Sequence, residues 1–197
     1  MAKVFNTTGL CVPEAHYMVN IDERLKEIRK LVDDGKYFTI SKARQYGKTT
    51  TLMALSRFLQ KDYYVVLIDF QTFGSVDFET EKKFSHAFAN TFLKIYRRAN
   101  STVTGKLQKV LDSLSFKIAD QNPDFTLRPL FDKIEDICAA SDKPIVLMID
   151  EVDSATNNQV FIDFLAQLRA QYLRRFQQPA LKSVILAGVY DIRNLRQ

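Results

Sequence analysis

Two short stretches carry residue types that do chemistry together. Residues 42–50 read KARQYGKTT, and residues 144–153 read PIVLMIDEVD. The first has the tail of a phosphate-binding loop. Gly47 lets backbone come close to phosphate oxygens. Lys48 can set an ammonium between a β- and a γ-phosphate, and Thr49 offers a hydroxyl to Mg²⁺. A helix starting here aims its first amides at the anion. Lys42, Ala43, Arg44, Gln45, Tyr46, Gly47, Lys48, Thr49 and Thr50 together form the candidate cradle. The departure is Lys42, which stands where such loops usually open with glycine and must keep a negative φ. Lys42 and Arg44 also add positive charge at the mouth. Alone, Gly-Lys-Thr also occurs in an ordinary turn between a strand and a helix, which is the alternative to a phosphate loop.

The second stretch puts Asp150 and Glu151 at the end of an apolar run. Ligands bind at the carboxyl ends of parallel strands, where two adjacent acids are costly without a purpose. Asp150 can hold the Mg²⁺ shell, directly or through water. Glu151 can orient and deprotonate an attacking water, with Lys48 as the second catalytic group. The alternative is a strand ending in a solvated acidic turn. Both motifs, in order and about a hundred residues apart on suitable elements, point to a nucleotide site.

The elements that must position these groups alternate. The pattern predicts a helix over 20–35, with Asn20 and Glu23 at its start, Gly35 at its exit and Ile21, Leu25, Ile28 and Val32 as its apolar stripe. Strands are expected at 36–41, 63–70, 144–150 and 181–188, the last three as continuous apolar runs buried on both faces. Helices are expected at 48–60, 77–98, 101–119, 125–140 and 157–176. Phe84, Phe88, Phe92 and Ile95 stripe one of them. Phe161, Phe164, Leu165, Leu168 and Tyr172 stripe another. Stripes at this spacing read as core rather than as a ligand box. The alternation implies an α/β fold with a parallel sheet covered on both faces by right-handed crossovers.

Bulk composition bounds the rest. A chain of 197 residues, 46% hydrophobic and 26% charged, has material for one sizeable core. The net charge of +5 comes without a dense Lys/Arg run, so it reads as a scattered solvated surface; nucleic acid is permitted but not indicated. No window has the apolar length to span a bilayer, and the start MAKVFNTTGL lacks a secretory core. Cys11 and Cys138 have no metal or redox spacing and read as free thiols of a cytoplasmic protein, with Cys138 a small core residue.

ARQYGKTT, VLMIDEVD and ILAGVYDIRNL resemble the AAA-like ATPase domains of a bacterial P-loop group related to STAND and archaeal-type ATPases. The opening FNTTGLCVPEAHYMV is similar to the start of such domains, and the likeness covers nearly the whole chain. The group often has a non-glycine where Lys42 stands. The resemblance implies a P-loop NTPase three-layer αβα sandwich, with an arm at 1–19 and the ATPase core at 20–197. It implies a fifth strand and a helical lid beyond Gln197, so the chain is expected to stop short of both. It implies ATP and Mg²⁺ as cofactors, with Lys48 and Thr49 on phosphate and metal, Asp150 the metal acid and Glu151 the base. It also implies that Pro13, His16, Tyr17 and Met18 pack on adenine; local packing of the arm is the alternative. No Asn, Ser or Thr stands at the end of the last strand as a γ-phosphate sensor. Asp191 or Arg193 could substitute, or form a turn and the cap of the next helix. Arg174 and Arg175 are candidate arginine fingers or merely a charged helix end. The leading expectation is ATP hydrolysis coupled to a protein partner or a missing C-terminal domain. A slow or non-hydrolysing switch and a nucleic-acid-associated ATPase are the alternatives. The oligomeric state is open.

Overall fold

The computed structural model describes residues 20–41, 47–100, 103 and 105–189. Along these residues the elements are α1 (Asp22–Asp33), β1 (Tyr37–Ser41), α2 (Lys48–Leu59), β2 (Tyr64–Asp69), α3 (Glu81–Ala99), α4 (Gly105–Ala119), α5 (Leu127–Ala140), β3 (Ile145–Asp150), α6 (Gln159–Arg174) and β4 (Ser183–Gly188). The four strands form one sheet in the order β1-β4-β3-β2, and every neighbouring pair is parallel.

Period-two alternation divides β2, β3 and β4 between two cores. Val65, Val146, Met148, Ile185 and Ala187 face α1 and α2, where they meet Leu25, Val32, Leu52, Leu55 and Leu59. Val66, Ile68, Leu147, Ile149 and Val184 face the opposite layer, built from α3, α4, α5 and α6. That second layer is aromatic. Phe84 packs edge-on against Phe70 and Phe164 and stacks on Phe88, which in turn meets Phe92. The continuous apolar runs of β2, β3 and β4 follow from having helices on both sides. β1 and β2 are the two edge strands; β1 is the less buried, whereas β2 is buried except at Leu67 and Asp69.

The chain path explains the layers. From β1 it crosses the full width of the sheet through α2 to β2, then returns through β3 to β4. Right-handed crossovers made in opposite directions must lie on opposite faces. β1 therefore exits toward α2 on one face, while β3 exits toward α6 on the other. A crevice between such diverging exits, beyond the carboxyl ends of the strands, is where α/β sheets bind ligands.

Three local expectations are adjusted. Asn20 does accept a helix-start amide, from Asp22 (2.8 Å), but Glu23 pairs with Lys26 (2.8 Å) instead of reaching back. The helix expected from residue 77 begins at Glu81. Asp77 first closes a tight turn by accepting the Gly74 N–H (2.8 Å), and Thr80 then caps the helix on the Lys83 N–H (3.2 Å). Tyr172 is half-buried against Tyr37 rather than sunk in the core.

Two buried phenols tie the layers together. Tyr63 donates to Asp33 (2.6 Å) and Tyr64 to Asp142 (3.0 Å). Burial, and then the carboxylate partner, push both phenols from 10.0 up to about 12. The folded state thus holds these protons more tightly than the unfolded chain. Their contribution is complete below pH 10 and is lost as the pH rises toward 12. The urea midpoint is expected to fall across that window, and less steeply in Tyr63→Phe; equal slopes would refute the assignment.

Candidate functional site

Gly47 precedes α2 with φ +71°, the left-handed region that suits glycine. Among the described residues a Cβ there would have no neighbour within 4 Å, and the left-handed backbone conformation by itself favours glycine. Thr51 fastens this corner, giving both its N–H (2.8 Å) and its hydroxyl (2.7 Å) to the Gly47 carbonyl. The helix start is thereby fixed; the first amides of a helix have no partner within it and suit an anion.

Lys48 opens the helix and turns inward, where it is 5% exposed. Among the described residues its Nζ has no hydrogen-bond partner, and the Glu151 carboxylate lies 3.6 Å away. The adjacent Thr49 donates its hydroxyl to Asp150 Oδ2 at 2.6 Å. Asp150 is 3% exposed, and its other oxygen accepts the Glu151 N–H (2.9 Å). Glu151 has φ +53°, a conformation that costs a non-glycine residue about 1–2 kcal/mol. Strain of this kind gathers at functional sites. Here the Glu151 side chain comes back to Lys48 at the end of β3, and its carbonyl accepts the Ser154 N–H (3.1 Å) and hydroxyl (2.8 Å).

The first turn of α2 and the exit of β3 are therefore joined twice, by Lys48–Glu151 and by Thr49–Asp150. All four residues singled out for direct chemistry meet at one place. Thr50 is half-buried on the same turn, and Thr51, not Thr50, holds the corner. Lys42, Ala43, Arg44, Gln45 and Tyr46 lie outside the described residues, as do Pro13, His16, Tyr17, Met18, Asp191 and Arg193.

Arg174 and Arg175 lie elsewhere. Arg175 donates to the Tyr172 carbonyl (2.7 Å), and its guanidinium sits 3.7 Å from the Tyr172 ring. Tyr172 packs on Tyr37, the first residue of β1, with ring centroids 4.8 Å apart. That is the amino edge of the sheet, opposite Lys48, so neither arginine serves the site within one chain.

Sequence reasoning passed over two groups at the carboxyl edge. Asp69 ends β2 as the register partner of Asp150, and its carboxylate accepts the Gln71 N–H (2.8 Å). The repeated pattern of an apolar run ending in Asp, LID and MID, was the available signal. Asp153 accepts the Val189 N–H just past β4; nothing local in the sequence points to that contact.

The family model of the AAA-like domain matches residues 14–191. The chain belongs to the AAA-like domain family. Nucleotide binding follows at the level of the family, and the joined motifs lie within the matched residues. A solved structure similar to this AAA-like domain is a Walker-type ATPase of Pyrococcus abyssi, with a TM-score of 0.62 at 15% identity. The match covers 93% of this chain and 48% of that one, so the AAA-like domain spans about half the length of that protein. At this identity the likeness establishes the fold, a parallel α/β sheet layered by helices. Among curated proteins none matches the chain. No described helix of the AAA-like domain is long and apolar enough to cross a membrane.

Proposed function

We propose that this domain binds ATP with Mg²⁺ and hydrolyses it. The observation that carries the proposal is the Lys48 ammonium, buried and without a hydrogen bond among the described residues. Burying such a charge costs several kcal/mol unless an anion compensates it. A half-exposed glutamate beyond hydrogen-bond reach compensates poorly. A phosphate between Lys48 and the α2 amides would compensate well.

The donor set also suits Mg²⁺. Among the described residues no group of three or more His, Cys, Asp or Glu could hold a metal ion. Mg²⁺ instead favours one or two carboxylates together with phosphate oxygens and water. Thr49 and Asp150, already in contact, are the residues that would hold it. Bound Mg²⁺ supplies neutralisation of charge on the phosphate oxygens. In this reading Lys48 orients the phosphate, and Glu151 takes a proton from the attacking water on its free carboxylate oxygen. Lys48 and Glu151 face each other in this structure, so a phosphate claiming the ammonium releases the carboxylate. The same exchange favours a second reading, a nucleotide switch that hydrolyses slowly.

The choice of ATP rests on the resemblance, as do the core at 20–197 and the assignment of the 1–19 arm to adenine. The coupled partner is ascribed to another protein or a further domain. The cytoplasm is inferred from the free Cys138 thiol.

Calorimetry with ATP and ADP, with and without Mg²⁺, tests the proposal. The wild-type chain is expected to bind both nucleotides, ATP more tightly when Mg²⁺ is present. Thr49→Ala is expected to lose that Mg²⁺-dependent gain, about tenfold in affinity, while still binding ATP. Heats that ignore Mg²⁺ in both proteins would remove Thr49 and Asp150 from the metal.

A further inference from the structure

The sheet is not closed evenly at its carboxyl edge. β4 stays paired with β1 as far as Ser41↔Gly188, whereas its register with β3 ends at Ile149↔Leu186. β3 and β4 part just where Asp150 and Glu151 stand. Among the described residues one side chain spans the gap. Asp153, in the turn that follows Glu151, accepts the Val189 N–H through Oδ2. The carbonyl of Val189 accepts the Ser41 hydroxyl (3.2 Å). A single residue is thus held from both sides, by the last residue of β1 and by the turn after the acids.

Gly188 marks how close this approach is. A Cβ at that position would lie 2.9 Å from both Asp153 carboxylate oxygens and 2.9 Å from Val152 Cγ2. Real Cβ atoms do not come so near, so the contact requires glycine at the end of β4. The turn itself starts from the strained backbone of Glu151. Only surrounding contacts keep such a conformation in place.

We infer that Asp153 is the positioning residue of the site: it latches the Glu151 turn to the exit of β4 and, through Val189 and Ser41, to the strand that leads into the phosphate loop. This rests on the reading of Glu151 as the base. Asp153 acts through the turn it fastens. Its effect is on where the Glu151 carboxylate stands, and a displacement near 1 Å in such a group costs about 100-fold in rate.

The test combines two measurements on the full chain. Hydrogen exchange without nucleotide compares wild type with Asp153→Ala. The latch predicts lost protection at Val189 and across residues 150–156, with the β2 and β3 interiors unchanged. Hydrolysis is then measured on wild type, Asp153→Ala, Asp153→Asn and Gly188→Ala. Asp153→Ala and Gly188→Ala are expected to lower kcat about 10- to 100-fold with KM changed less than about twofold. Asp153→Asn keeps an acceptor oxygen for the Val189 N–H and is expected to recover most of the rate, which also guards against misfolding of the alanine variant. Unaltered exchange, an unaltered Asp153→Ala rate, or an Asn variant no better than Ala overturns the positioning role. A wild-type chain that binds ATP but never hydrolyses it sinks the base and its positioning residue together. Wild-type hydrolysis that Asp153→Ala leaves intact sinks the positioning role alone.

Discussion

Lys48→Met is expected to leave the nucleotide-free chain as stable as wild type, or more so, and to cut its thermal response to ATP to about a third or less. Methionine keeps the length of the side chain and removes the charge. The Lys48 ammonium is buried with no hydrogen bond among the described residues, so its removal relieves a desolvation cost. The abandoned partner tolerates the loss, because the Glu151 side chain is 33% exposed and can be hydrated. With nucleotide the sign reverses. Truncating one member of a desolvated charge pair costs about 2–5 kcal/mol of binding, roughly 30- to 5,000-fold in affinity. At a ligand concentration about 100 times its Kd, the wild-type chain gains ~2.7 kcal/mol. For a domain of this size that is a rise of about 5–10 °C in Tm. Differential scanning fluorimetry with and without Mg-ATP is expected to show this rise in wild type and at most about a third of it in the variant. A Lys48→Met chain that melts lower and still responds fully to ATP would mean that Lys48 is a structural ion-pair member and not a phosphate ligand.

Glu151→Gln is expected to separate binding from chemistry. The amide can occupy the same place, and its backbone N–H can still donate to Asp150 as the native residue does. It cannot accept a proton at neutral pH, so general-base assistance, worth about 10²–10⁴ in rate, is removed. Single-turnover phosphate release should slow by that factor. Nucleotide affinity should hold or tighten slightly, since a carboxylate facing the phosphate has gone. The comparison also decides between the two readings of the site. Unchanged phosphate release with retained binding would leave Glu151 as the ion-pair partner of Lys48 alone, and the domain as a switch whose hydrolysis, if any, is unassisted.

Much of this site is legible in the residues alone. Gly47, Lys48 and Thr49 stand at a strand-to-helix junction, and Asp150 and Glu151 end an apolar run. Local rules read such features well, because a helix start and a strand end are set by near neighbours. The breaks come where a side chain near in sequence competes with the pattern. Asp77 caps its own turn and delays α3, and Glu23 prefers Lys26 to the helix start. The aromatic stripes of α3 and α6 are core as their spacing implies, since Phe84, Phe161 and Phe164 are fully buried.

By itself, then, the sequence determined the alternation of strands and helices, the two-sided burial of β2, β3 and β4, and the chemical types gathered for a phosphate. These follow from periodicity and from residue chemistry, which are local. Tertiary structure alone decided that β4 lies between β1 and β3, because three equally apolar strands carry no mark of which pairs with which. Sheet order in turn decided that Thr49 meets Asp150, that Lys48 meets Glu151, and that Arg175 sits at the far edge. It also brought Asp153 onto Val189, 36 residues away, across the gap between β3 and β4. Contacts of that range are settled by packing the whole sheet between its helices, a sum over many weak preferences that no short stretch contains.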